Sequence, residues 1–446
     1  MGMGIFRRSV ICFFCLLCLF LCGCGIKETN VKINEDSKIY LAAVEELEDY
    51  FETNAFLYRN SSKGEWKNSL NNLKEDIKSN KINESDFFYR MQEICASLKN
   101  GHSFCGKINY NEEKIFPIRG DYYDDKFYIV VADGEYKDIL GAQVISINGI
   151  DFEDIEKEYS RIISAENNQR LKGIISSNGF VESEFKYLGI WKENNIFEVK
   201  KLNGETEKVN MQTVSYEDYV AIMKDINNYL AYDKRINSIE NKKPENAHNQ
   251  YWYTLDKENR ILYFQYNTCF DKNDTKIISP IQDLSFYPDF SDFSKELREF
   301  MNANLEAFDK IVVDVSVNGG GNKEHFDSFI NFNLGIFNSK KVYAIMSKDT
   351  FSAGVLAVNT LVEKCNATMI GEETGGSIEM YAVEYKKSEN LPIWFANGKH
   401  YVDVLKYAGK NSSDNMRGAI PDIKVTKTID DIINGVNPYY QAVIDN

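Results

Sequence analysis

The stretch Val342-Tyr343-Ala344-Ile345-Met346-Ser347-Lys348-Asp349-Thr350-Phe351-Ser352-Ala353-Gly354-Val355-Leu356-Ala357-Val358 sets the reading of the whole chain. An apolar run breaks into small and polar residues and then resumes, which predicts strand, tight turn, helix. Such a turn lifts the Ser352 hydroxyl to the head of a helix, where free N–H groups favour a developing negative charge. An inert serine N-cap fits the same stretch, so the role of Ser352 depends on what surrounds it.

Around this turn, strands and helices alternate from about Asn241 onward. Arg260–Tyr266 predicts a strand, Phe290–Asn304 a helix, and Lys310–Val315 a strand that runs into Asn318-Gly319-Gly320-Gly321; Asp327–Phe332 opens another helix. This alternation indicates a layered α/β domain with its active loops at strand ends. The glycine triplet is not a phosphate loop, because Gly321-Asn322-Lys323 lacks the Gly-Lys-Ser/Thr ending.

Upstream the pattern changes twice. From about Lys38 to Leu98, apolar residues recur at helical spacing: Leu41, Val44, Leu47, Tyr50; Leu70, Leu73, Ile77; Phe87, Met91, Ile94, Leu98. From about Phe104 to Val214, short β runs follow. They are Lys126–Val131, then Ile139–Ile147 with the turn Asn148-Gly149, a helix over Phe152–Ile163, and a hairpin over Asn195–Val209 turning at Asn203-Gly204. The run into Ile147-Asn148-Gly149 resembles a PDZ-like module, without the Gly-Leu-Gly-Phe loop that binds carboxylates.

The chain has 446 residues, 43% of them apolar, enough for two or three domains. A net charge of −15 argues against nucleic acid and against a basic membrane-binding surface. The N-terminus reads as a secretory signal. Arg7-Arg8 precede the apolar Ser9–Leu21, which is short for a bilayer. The segment ends in Leu21-Cys22-Gly23-Cys24, which resembles a bacterial lipobox and implies lipid on Cys24. Of nine cysteines, Cys95, Cys105, Cys269 and Cys365 fall in the body, without zinc spacing, and the four histidines are scattered. No metal or cofactor is expected.

Five stretches stand in a telling order: Leu98-Lys99-Asn100-Gly101-His102-Ser103, Ile311–Gly321, Asp349–Gly354, Gly371-Glu372-Glu373-Thr374-Gly375-Gly376, and Arg417-Gly418-Ala419-Ile420-Pro421-Asp422-Ile423. Their order resembles the tail-specific, or C-terminal-processing, serine peptidases over roughly residues 40 to 428. The resemblance implies a multidomain α/β (α+β) protein: residues 1–23 signal peptide, 24–36 tether, 37–103 helical region, 104–214 PDZ-like module, 215–446 a ClpP/crotonase-like catalytic domain. One branch of that family pairs serine with lysine, but the matching position is Ser377. The tricorn-like branch pairs it with an N-terminal histidine, here His102, which implies Ser352 as nucleophile and His102 as general base.

Oxyanion donors are expected from Gly320, or its neighbour Gly321, and from the N–H of Ala353. In that branch a glutamate precedes the Gly-x-x-Pro-Asp stretch, which points to Asp414 as the orienting acid, with Glu372 and Glu373 as rivals. The branch's serine before the histidine is Gly101 here. The activity implied is hydrolysis of protein or peptide substrates through an acyl-enzyme, by a lipoprotein anchored outside a bacterial cell. The alternatives are a catalytically silent surface protein holding peptides or other ligands on the same fold, and an esterase using the same centre. Oligomeric state is not legible.

Overall fold

The computed structural model describes residues 35–108, 110–230, 242–244, 249–274, 284, 287–402 and 405–446. The expected signal segment and Cys24 lie outside the described residues, and no described helix is long and apolar enough to cross a membrane.

Three helices open the fold, Glu35–Glu52, Lys63–Lys78 and Glu84–Ala96. Ser62 and Asn83 cap the second and third, their side chains accepting from Glu65 and Asp86 N–H. The apolar stripes read from the sequence are the buried ones, including Val44, Leu47, Leu70, Leu73, Met91 and Ile94.

The module that follows is an antiparallel sheet ordered Ile118–Tyr123, Lys126–Ala132, Gln143–Ile147, Asn195–Lys200, Thr206–Met211. Asn148 and Gly149 take φ of 58° and 83°, the left-handed pair that a two-residue hairpin turn needs. Two helices the sequence reading did not anticipate, Asn168–Asn178 and Glu182–Tyr187, lie between its strands. The three opening helices and this sheet share one continuous apolar core, so they pack as a unit.

The C-terminal domain is a six-stranded sheet in the order Tyr251–Asp256, Ile261–Tyr266, Lys310–Asp314, Lys341–Met346, Thr368–Gly371, Ile423–Lys424, parallel except for the first pair. Alternate residues face opposite layers. Leu262, Val313 and Ala344 pack under helices Phe290–Ala303, Lys323–Phe337 and Ala353–Cys365. Tyr263, Val312 and Ile345 face the terminal helix Pro438–Asp445. This is the multidomain α/β architecture expected.

One boundary differs. Phe104–Lys107, read as the start of the module, pairs instead with Ile393–Val402, whose hairpin partner is Met380–Lys387. The strand just after His102 is therefore stitched to the C-terminal domain.

Candidate active site

Ser352 sits where the strand Lys341–Met346 turns into the helix Ala353–Cys365, with φ 52° and ψ −123°. A positive φ is uncommon for a non-glycine residue and persists only where the surroundings enforce it. Its side chain makes no capping hydrogen bond, so the inert N-cap role is not the one it plays.

The enforcement is visible. Phe351 N–H donates to the Asn318 carbonyl at 2.9 Å, and Thr350 Oγ1 donates to the Val315 carbonyl at 2.8 Å. A Cβ on Gly354 would stand 2.5 Å from that Asn318 oxygen, and one on Gly376 3.0 Å from Ser352 N. The glycine loop and the Ser352 turn are thus locked together.

Gly320 has φ 105°, and a Cβ there would lie 2.7 Å from Ser352 Cβ and 3.1 Å from Ala353 N. Its backbone therefore lies against the serine. Its own N–H, however, donates to Asn318 Oδ1 at 2.9 Å, so it is not a free oxyanion donor. That corrects the expectation for Gly320. The neighbour Gly321 keeps an N–H that donates to no described atom, as does Ala353.

His102 follows the third helix in a turn held by Asn100, whose Oδ1 accepts from His102 N–H at 2.9 Å and whose Nδ2 donates to the Gly398 carbonyl. The imidazole is 6% exposed and stacks on Phe351, ring centroids 4.5 Å apart. Tyr381 flanks it at 5.9 Å. The histidine thus reaches the residue immediately before Ser352, but neither ring nitrogen is hydrogen-bonded, so Ser352 and His102 do not bond to one another here.

The candidate acids lie elsewhere. Asp414 is in an exposed turn, accepting from Met416 N–H at 2.9 Å. Glu373 pairs with Arg417 at 2.9 Å and accepts from Gly418 N–H. Glu372 is hydrogen-bonded to Tyr439, and burial pushes its carboxyl up. The carboxylate that the structure brings to His102 is Glu166, its Oε1 3.7 Å from Nδ1. Glu166 comes from the module, just before the helix Asn168–Asn178, where periodicity carries no signal for it. The available hint was Gly101. Its φ is not positive, yet a Cβ there would stand 2.6 Å from Glu166 Oε2.

One turn along, the Arg170 guanidinium lies 3.6 Å from the centre of the Phe351 ring. Two groups that close cannot share a face, so Phe351 is held between Arg170 and His102. Lys348 is buried and pairs with Asp121 of the module at 2.8 Å and with Asp349 at 2.9 Å. Burial opposes its charge, but the two carboxylates hold its ammonium above the usual range. A lysine so committed is not a general base. Ser377 is buried and donates to the Glu379 carbonyl. A cleft of about 660 Å³ is lined by residues of the opening helices and the module, Lys99, Glu166 and Asn167 among them, and by Met416; Ser352 is not part of its lining.

The chain matches no protein-family model and no curated protein. Among solved structures it is similar to mature CPAF complexed with lactacystin, at 11% identity over 92% of this chain and 97% of that one, with a TM-score of 0.59. A point mutant of CPAF gives 10% identity, coverage of 92% and 96%, and a TM-score of 0.61. At such identity the likeness is one of fold, and it runs along nearly the full length of both chains.

Proposed function

We propose that this chain is a serine peptidase that cleaves protein or peptide substrates through an acyl-enzyme at Ser352. The observation that carries the reading is the strained, uncapped serine set against the glycine loop, with a buried histidine stacked on its neighbour Phe351. The ordered stretches resembling the tail-specific peptidases and the fold shared with CPAF support it.

In the proposed reaction His102 Nε2 takes the Ser352 proton as Oγ bonds to the scissile carbonyl carbon. Nδ1 faces Glu166, which leaves Nε2 for the serine. The N–H groups of Ala353 and Gly321 are the candidates to receive the oxyanion. Collapse breaks the C–N bond as the imidazolium returns the proton to the leaving amine, and water then releases the acyl group by the same steps. Closure of the serine–histidine contact on substrate binding fits the common loosening of such bonds in unliganded sites. We also propose that Cys24 carries a lipid and tethers the enzyme outside the cell.

A fluorophosphonate probe reads the central claim. The wild-type chain should be labelled and hydrolyse peptide, whereas Ser352→Ala should lose labelling and drop about 10⁴-fold or more in rate while folding normally. The unmade serine–histidine bond favours one second reading, a silent binding protein. An unlabelled, inactive wild-type chain would establish that instead.

A further inference from the structure

We infer that Glu166, supplied by the β-rich module, is the positioning acid of His102, in place of any carboxylate from the C-terminal domain. This rests on the peptidase reading above and deepens it.

Three observations converge. The Glu166 side chain is fully buried, with both oxygens unpartnered, and Nδ1 of His102 is equally unpartnered 3.7 Å away. A buried carboxylate without a partner is costly, so its position needs a reason. A short shift of either side chain makes the Nδ1–H to carboxylate bond and satisfies both. Gly101 supplies the second observation. The place a side chain would take at residue 101 is filled by Glu166 Oε2, so the glycine is the space the acid requires. The third is the charge around the site. Arg170 stands near both Glu166 and Asp349, Asp349 pairs with Lys348, which also pairs with Asp121, and beyond Tyr381 the Glu379 carboxylate is already bonded to Tyr381 and Arg59. A carboxylate that faces Nδ1 supports the imidazolium that forms when His102 accepts the serine proton. Burial pushes the Arg170 guanidinium down, yet Glu166 and Asp349 oppose this. An acid that interacts more strongly with imidazolium than with neutral imidazole favours the transition state over the resting state.

The consequence is that the site is completed across domains. The nucleophile and oxyanion loop belong to the C-terminal domain, the base to the opening region, and the acid to the module. Arg170, one helical turn from Glu166, clamps Phe351 and ties the two together.

The test is Glu166→Gln in the full chain, beside Asp414→Asn and Ser352→Ala. Glu166→Gln should lower kcat by about 10²–10⁴-fold, because the tautomer and the imidazolium both lose support. Glu166→Asp, which keeps a carboxylate, should recover part of that loss in kcat with KM little changed. Asp414→Asn should match wild type. A residue that only packs would respond to the lost volume of Glu166→Asp more than to the lost charge of the isosteric Glu166→Gln. If Glu166→Gln fails to fold, Gly101→Ala serves, since its methyl would stand 2.6 Å from Glu166 Oε2 and must displace the carboxylate; the same loss is expected. An unchanged rate in Glu166→Gln, or in Gly101→Ala where that variant stands in, would overturn the inference while leaving the peptidase reading intact. Full activity in Ser352→Ala would sink that reading itself.

Discussion

At the residue scale, Ser352, Gly320 and Gly101 show what a sequence can and cannot say. Ser352 and the glycine triplet were legible because a strand, a break in small residues and a helix leave a readable mark. The partner of His102 was not. An acid acts by position, and Glu166 lies in a polar stretch, Ser164-Ala165-Glu166-Asn167, where nothing separates it from a solvated charge. Gly320 illustrates a finer limit. The close approach was foreseeable, while the diversion of its N–H to Asn318 depends on a side-chain rotamer. Gly320→Ala should therefore act through shape. A methyl 2.7 Å from Ser352 Cβ, at φ 105°, displaces the nucleophile turn. The expected outcome is loss of about 10²-fold or more in kcat and about 1–3 kcal/mol of stability from strain. Peptide hydrolysis and urea unfolding check the two parts separately; a variant as active as wild type would show that the loop does not abut the serine.

At the scale of elements, long periodic segments were read within a residue or two, among them the strand Ile261–Tyr266 and the helix Phe290–Ala303. The helix Lys323–Phe337 begins a turn earlier than its apolar pattern, because Asn322 caps it through Glu324 N–H. The strand Ile393–Val402 was hidden by Asn397-Gly398, which reads as a turn. Gly398 instead marks a close approach, since a Cβ there would lie 2.6 Å from His102 Cβ. The helix Asn168–Asn178 was missed for a related reason. Gly173 weakens its pattern, yet a Cβ there would stand 2.9 Å from Asp349 Oδ1. The loop it abuts holds the ion pair that links module and nucleophile turn, which can be tested directly. Lys348→Met leaves Asp121 and Asp349 facing each other. Both side chains keep some contact with water, 28% and 34% exposed, which discounts the usual buried-pair penalty. A loss of about 1–3 kcal/mol at neutral pH is expected. Burial works against ionisation of Asp121, but Lys348 holds its carboxyl below the usual range. Its stabilisation is therefore present near neutrality and fades as pH falls through that folded-state value. The difference between variant and wild type should shrink in acid. A gap that widened instead would show that the pair is not what the lysine supports.

At the scale of the whole molecule, the distribution of charge bears on where the protein works. Net charge is −15, which gives no overall attraction to anionic lipid. The apolar stretch Ser9–Leu21 is short for a bilayer, and no described helix spans one. On the proposal that Cys24 is lipidated, anchoring comes from its acyl chains, and a single chain would hold only marginally. Between Cys24 and the first described helix at Glu35 the chain can reach at most roughly 40 Å. An anchored enzyme would thus meet substrates close to the membrane surface. If lipid alone holds it, high salt should fail to strip the wild-type protein from membranes, because there is no ionic attraction to screen. Cys24→Ser should abolish retention of the mature form, releasing it or leaving it unprocessed. Fractionation of cells expressing each form, with mass analysis of the mature N-terminus, gives the answer. Release by salt, or a Cys24→Ser protein retained at normal mature size, would mean that something other than a lipidated cysteine holds this chain to the membrane.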